Sequence, residues 1–465
     1  MSAPILWIVV PLVVAALLLI LRDERVTTIS ASLVCVLLAV TAWLLPIDTV
    51  FTVGKLAFKI SPSLEIFGRS MSLTAAEQPL LILIYGAAFV WFAVSASVHL
   101  ARRLIPLGLS ITAMLVASLA VQPFMYAALL IEMAVLLAVP VLSPPGQVPG
   151  RGTLRFLIFQ TLAMPFILFS GWLLAGVEAN PGDLTLVTQA AILLGLGFTF
   201  LLAVFPFSTW IPLLAEETPP LLAGFVFWIF PTAGLLFLTN FLERYTWLRT
   251  ASVLPTVLSF AGILMVAAGG LLSAFQRQLG RIMAYAVMME TGFSLLALSL
   301  NSLTGVGLFI ALFIPRLLSL VAWSFALTIL QKGAPGLRFR DLKGWGRIWP
   351  FASIGVLLAS LSLVGLPALA GFPIRQVLVE ALIRPSGGLV VWIFLGSLGL
   401  AIAIVRTLAV LTMSPEGMKW ETRETPSQKI VFVIGWVLLF LLGLFPQWVS
   451  LVMARLPVMF QHLGQ

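Results

Sequence analysis

Six ionisable residues of this chain lie inside apolar runs of helix length: Glu132, Glu290, Arg316, Arg375, Glu380 and Arg406. A charge near the centre of a bilayer costs at least about 2.5–3.5 kcal/mol on insertion scales, so each is a functional candidate by default. A carboxylate held there can take up and release a proton. An arginine keeps its proton, so it can bias or gate a proton path but cannot carry along it. Each also has a plainer reading. Glu132, flanked by Ile131 and Met133, could be a helix–helix hydrogen bond, and each arginine a static partner for carboxylates or carbonyls. Glu380 is five residues beyond Arg375, off the three- or four-residue spacing of helix neighbours, so a meeting of the two requires a neighbouring helix.

The elements that must position these charges are interrupted in two places. Pro206 and Pro212 bracket Phe-Ser208-Thr-Trp-Ile, and Pro367 and Pro373 bracket Ala-Leu-Ala-Gly-Phe. Proline removes a backbone donor and clashes with the preceding turn, so neither stretch continues as an unbroken helix. Within lipid such breaks survive only against protein or water. A matched pair of interrupted segments, one in each half of a chain, points to a transporter fold built from repeats.

The composition agrees. The 465 residues are 61% hydrophobic and 9% charged, whereas globular chains are roughly 25% charged. The apolar runs are long and continuous, which excludes a β-barrel. We expect an all-α polytopic membrane protein of about 14 spans, with breaks in the seventh and twelfth. The breaks are five spans apart. Two inverted five-helix repeats are therefore expected over 104–245 and 246–413, after three N-terminal helices in 1–103 and before a C-terminal helix in 414–465. The first span reads as retained rather than as a removed signal peptide. The formal charge of +9 reflects topology and not nucleic-acid binding: with both termini outside, about 16 basic loop residues fall inside and about 7 outside. The single Cys35 and the two histidines, His99 and His462, are too few for a metal, haem or iron–sulfur site. No cofactor is expected.

Several stretches, taken together, resemble the antiporter-like membrane subunits of respiratory complex I. That family is shared with Mrp-type cation/proton antiporters and membrane-bound hydrogenases. Pro206-Phe-Ser-Thr-Trp210-Ile-Pro212 is similar to its proline–histidine–tryptophan–proline break. Leu279-Gly-Arg281-Ile-Met-Ala284-Tyr285 with Gly292-Phe293 resembles its Leu-Lys-Arg-Leu-Leu-Ala-Tyr and Met-Gly-Phe stretch, and Gly365-Leu-Pro367 with Gly371-Phe372 its second break.

The resemblance implies a chain of buried charges and water through the bilayer centre, coupled to redox chemistry elsewhere in a complex. By position Glu132 matches a glutamate of the fifth helix. Arg375 takes the site of a lysine or glutamate in the twelfth, and Arg406 matches an arginine of the thirteenth. Glu290 falls where several relatives have histidine. The sequence departs from the pattern in its first repeat. Leu201 stands for the lysine of the seventh helix, Pro231 or Thr232 for that of the eighth, and Ser208 for the histidine of the break.

The expectation is a non-catalytic subunit of a proton- or monovalent-cation-translocating oxidoreductase complex in a bacterial cytoplasmic membrane. Its partners would be other membrane subunits and lipid, with a first-repeat path disabled or rerouted. A cation/proton antiporter or inorganic-carbon uptake module, and a structural scaffold, stand as alternatives.

Overall fold

The computed structural model describes residues 2–21, 23–53, 56–66, 68–98, 104–143, 146, 148–179, 184–334, 336–384, 387–413, 420–448 and 460. Of the residues used above to infer topology and exclude metal sites, Arg22, Lys55, His99, Arg102, Arg103, Lys419, Arg455 and His462 lie outside them. Two compact units divide the chain. The first comprises Met1–Pro149, Thr153–Leu202 and Ala233–Arg244; the second comprises Gly150–Gly152, Ala203–Thr232 and Tyr245–Gln465.

The first unit opens with a π-helical turn, Ile5–Val9, leading into α1 (Val10–Ile20) and α2 (Glu24–Leu44). The Asp23 side chain caps α2 by accepting from the Arg25 and Val26 amides, which satisfies donors the first turn leaves open. Next come α3 (Gln78–Ser95), α4 (Leu104–Ala120), α5 (Ala127–Leu142), α6 (Arg151–Ala179) and α7 (Leu184–Leu201). Here α2 packs on α3, and α4 on α1 and α5. The buried Gln78 amide fixes the end of α2, donating to the Ala42 and Leu45 carbonyls at 2.9 and 2.8 Å. A cluster of Phe124, Phe198, Phe237 and Phe241, with centroids 5.0–5.7 Å apart, fills part of the core.

The 46–76 segment, read from sequence as a loop, carries strands. β1 (Val50–Val53) pairs with β2 (Leu56–Lys59), and β3 (Ser63–Ile66) with β4 (Arg69–Ser72), which also pairs with the short β5 (Val121–Gln122). Ser63-Leu-Glu-Ile and Arg69-Ser-Met-Ser alternate polar and apolar residues, the period of a strand. The stretch is too short and too polar to register among the long apolar runs.

The second unit holds α8 (Trp210–Glu217), the first half of α9 (Pro220–Arg244), α10 (Thr246–Arg249), α11 (Leu254–Phe275), α12 (Leu279–Ser299), α13 (Leu303–Ala311), α14 (Phe313–Gly333), α15 (Pro350–Val364), α16 (Phe372–Ile383), α17 (Gly387–Thr412) and α18 (Pro426–Leu444). Its centre is α11, packed on α12 and α17. A Cβ on Gly270 would meet the Gly396 backbone, and one on Gly399 the Gly270 carbonyl. Such glycines let two membrane helices touch backbone to backbone. The stretch read as one span over 303–331 is one candidate membrane span, Leu303–Gly333, whose helix is interrupted for a single residue at Leu312, between α13 and α14. Pro315 accounts for the interruption, because its ring crowds the carbonyl four residues back at Ala311.

Among the described residues ten helices are long and apolar enough to cross a membrane, and four apolar helices are shorter: Ile5–Ile20, Leu104–Ala120, Thr185–Leu201 and Pro350–Val364. The last two end at the proline breaks. The architecture is that of an all-α integral membrane protein.

Candidate functional site

Both breaks occur where the prolines place them. At the first, α7 ends at Leu201, Ala203 takes a left-handed φ of 53°, and a short 3-10 turn, Phe207–Thr209, leads into α8. The Phe205–Pro206 peptide is cis. Pro212 falls in the first turn of α8, where an amide hydrogen would have no helical partner in any case. Ser208 is buried within the turn. The carbonyl of Leu201 accepts from the Gln160 side chain of α6 at 3.1 Å. A neutral amide therefore satisfies this helix end, and the buried Leu201 side chain brings no charge to it.

At the second break, Gly365 closes α15 in the left-handed region at φ 87°. The Leu366 amide reaches back to the Leu361 carbonyl at 3.0 Å, the bond of a Schellman C-cap with proline just beyond it. Ala368 is also left-handed, at φ 72°. Gly371 donates its amide to the Ser362 hydroxyl at 3.3 Å, and that hydroxyl also accepts from Ser319 at 3.0 Å. Helix α16 then starts with Pro373 in its first turn.

That restart carries Arg375 inward. The side chain is buried and paired through Nη2 with Oε1 of Glu290 on α12, itself buried. The guanidinium lies 4.3 Å over the Phe293 ring. Nη1 is buried with no protein partner among the described residues. Beside the pair is a cavity of ≈ 570 Å³ lined by Arg375, Gln376, Glu380, Phe293, Gly365 and residues of α17. Glu380 shares this cavity but is exposed, and accepts from Gln376 one helical turn earlier at 3.0 Å. It is therefore Glu290, not Glu380, that partners Arg375.

Arg316 is fully buried in the first turn of α14. Its Nη2 donates to the Thr291 hydroxyl at 3.3 Å and to the Phe227 carbonyl at 3.2 Å. The second acceptor follows from the sequence of α9. Pro231, four residues after Phe227, has no amide hydrogen to give it, and the arginine supplies the missing donor. Glu290 and Thr291 are consecutive, so α12 connects the two buried arginines. The group carries two positive charges and one negative.

Arg406 is half-buried and belongs elsewhere. It donates to the Ala274 carbonyl in the last turn of α11 and lies 5.3 Å over the Phe339 ring. A cation at a helix C-terminus is favoured by the exposed carbonyls and the dipole. In the first unit Glu132 is half-buried, accepting from the exposed Thr161 hydroxyl at 2.7 Å, with no partner for Oε2 among the described residues. Thr161 follows Gln160 directly, so consecutive residues of α6 serve the helix break and the carboxylate.

Among the described residues the buried charged side chains are Glu290, Arg316, Arg375 and Glu424, all in the second unit. Glu424 was not singled out from sequence. It accepts from the Ala352 amide at 3.2 Å and so caps α15, a contact 72 residues distant that spacing could not announce. Glu216, which pairs with Arg281 and Arg338, escaped for the same reason.

Residues 174–401 match the family model described as NADH:quinone oxidoreductase/Mrp antiporter, TM. NADH-quinone oxidoreductase subunit N 2 of Acidobacterium capsulatum is 27% identical over 289 residues, 57% of this chain and 58% of that one. NADH-quinone oxidoreductase subunit 14 of Thermus thermophilus is 27% identical over 235 residues, 48% of this chain and 51% of that one. The chain thus matches little more than half the length of these curated relatives. Two solved structures share its fold nearly end to end. A chain of the membrane-bound sulfane sulfur reductase, an archaeal respiratory membrane complex, superposes with TM-score 0.80 at 16% identity, covering 99% of this chain and 98% of that one. A chain of Thermus thermophilus respiratory complex I gives 0.74 at 18%, covering 99% and 100%.

Proposed function

We propose that this chain, a member of the NADH:quinone oxidoreductase/Mrp antiporter transmembrane family through residues 174–401, is a membrane subunit of a complex I-like translocating oxidoreductase. It moves protons or monovalent cations, or couples electrostatically to their movement, and is not itself the redox catalyst. Its relatives of similar sequence are subunits of NADH-quinone oxidoreductases, and its partners here are other membrane subunits. Residues 104–245 and 246–413 are the two repeats. The protein sits in a bacterial cytoplasmic membrane with both termini outside, as its loop charges favour.

The observation that carries this reading is where the buried charge lies. Glu290, Arg316 and Arg375 form a connected polar group beside the second break, whereas Leu201 and a neutral amide occupy the first. Burying such charges is costly, and a working path is one reason to retain them. Arg375 cannot pass on its proton, so Glu290 is the carrier of this group and the arginines set its field. With no buried cation at the first break among the described residues, Glu132 is left to serve a disabled or rerouted path.

The test is proton uptake by the intact complex in proteoliposomes, measured per quinone reduced. We expect fewer protons than for a lysine-bearing relative, and a further loss with Arg375→Gln. Uptake equal to the relative's and insensitive to Glu132→Gln contradicts the proposal. Indifference of coupling to both Arg375→Ala and Glu132→Gln marks a scaffold. Co-purification with quinone-site and iron–sulfur subunits supports an oxidoreductase, and isolation with one soluble partner supports the uptake-module alternative.

A further inference from the structure

Away from the buried charges, the second unit has a cavity of ≈ 540 Å³ lined by Arg277, Arg281, Arg338, Arg340 and Lys343, with Glu216 as its carboxylate. Five cations line it against one anion, and with Asp341 beside Arg340 the local excess is three positive charges. Two backbone segments bring them together. The Phe339 amide donates to the Arg277 carbonyl at 2.9 Å and the Leu279 amide to the Leu337 carbonyl at 3.0 Å, so Gln278 and Arg338 face each other as an isolated antiparallel bridge. The Gln278 side chain caps α12 through the Arg281 amide. Glu216 accepts from both Arg281 and Arg338, and Arg340 lies 3.3 Å from Asp341. The buried Nε of Arg281 has no protein partner among the described residues.

Topology alone explains basic residues at this end of α11 and α12. It does not explain their convergence, since like charges repel and a topological signal works equally well dispersed. Phosphate oxygens suit such a site, because a guanidinium meets them with paired, charge-assisted hydrogen bonds. The neighbouring surface is apolar: Leu271 and Phe275, one turn apart at the end of α11, are 39% and 77% exposed. Basic pockets at the membrane surface between spanning helices bind anionic head groups.

We propose that this cavity binds a phosphate group, supplied by the head group of an anionic lipid whose acyl chain runs along Leu271 and Phe275. The phosphate accepts from the arginines that Glu216 leaves partly unpaired, and the lipid fixes the 338–343 segment against the start of α12. This site is independent of whether the subunit moves ions.

The full chain, purified into nanodiscs of phosphatidylcholine with graded phosphatidylglycerol, provides the test, with retained lipid counted by native mass spectrometry. Arg338→Gln with Lys343→Gln removes two exposed cations, so folding is spared. We expect phosphatidylglycerol retention to weaken on the order of tenfold. The control pair Arg151→Gln with Arg155→Gln lowers net charge equally outside the cavity and should change it less than about twofold. In nanodiscs of phosphatidylcholine alone, inorganic phosphate is the second probe. A rise in melting temperature with phosphate, lost in the cavity variant and without any lipid preference, keeps the phosphate site and assigns it to the free ion. Equal losses in cavity and control variants, or no response to either phosphate source, overturn the proposal; an acidic protein as the true occupant gives the latter result.

Discussion

Arg375 and Glu290 share one bond among apolar neighbours, so deleting either side chain alone strands the other's charge in the protein interior. Breaking such a pair from one side costs about 3–5 kcal/mol, whereas replacing both partners with apolar residues of similar volume is often neutral or stabilising. We therefore expect Arg375→Met and Glu290→Leu each to lower the melting temperature of the detergent-purified protein clearly, and the double variant to recover most of the loss. The double variant also separates stability from transport: a well-folded protein with impaired proton uptake places the pair on the path, while unchanged uptake confines it to structure. Glu132→Gln belongs to a different class. Its Thr161 contact lies toward an exposed hydroxyl, and a glutamine oxygen still accepts it, so the fold should shift by less than about 1 kcal/mol. Denaturation of the single variant reads this directly, and a large loss means that the charge itself is structural.

The helix break is the element that aims Arg375, and Gly365 is its hinge. A Cβ there is strained at φ 87° and would lie 3.1 Å from the Arg375 Cδ. Left-handed backbone costs a residue bearing a Cβ roughly 1–2 kcal/mol, and the displaced arginine adds part of its pairing energy. Gly365→Ala should thus reduce stability and coupling together; unfolding measurements alongside proton uptake decide this, and a silent substitution means that the break can re-form without moving Arg375. The breaks were readable in the sequence because proline acts through covalent geometry, which needs no knowledge of neighbours. Partners were not readable. Spacing spoke against Glu380 as a helix neighbour of Arg375 but could name no other partner, because the actual one is 85 positions away. Arg316 was legible as a buried charge, but its link to the carbonyl freed by Pro231 required α9 and α14 to be in place. The strands of 50–72 were hidden by their own brevity beside runs several times longer.

For the molecule as a whole, the inference with most consequence is orientation, because it decides which compartment each end of the charge chain faces. In the proposed orientation the segment between α5 and α6 lies inside and that between α10 and α11 outside, three crossings away. Val148 is 93% exposed in the former and Val253 63% exposed in the latter. Cys35 is the chain's one cysteine and is buried, so Cys35→Ala gives a background with no competing thiol. On intact cells a membrane-impermeant maleimide should label Val253→Cys at once and Val148→Cys only after permeabilisation. The opposite pattern inverts the protein and moves the basic cavity to the outer surface, where the positive-inside rule no longer accounts for its charge. Labelling of both, or of neither until permeabilisation, means an even number of crossings between the sites, and the two breaks then no longer belong to units of opposite orientation.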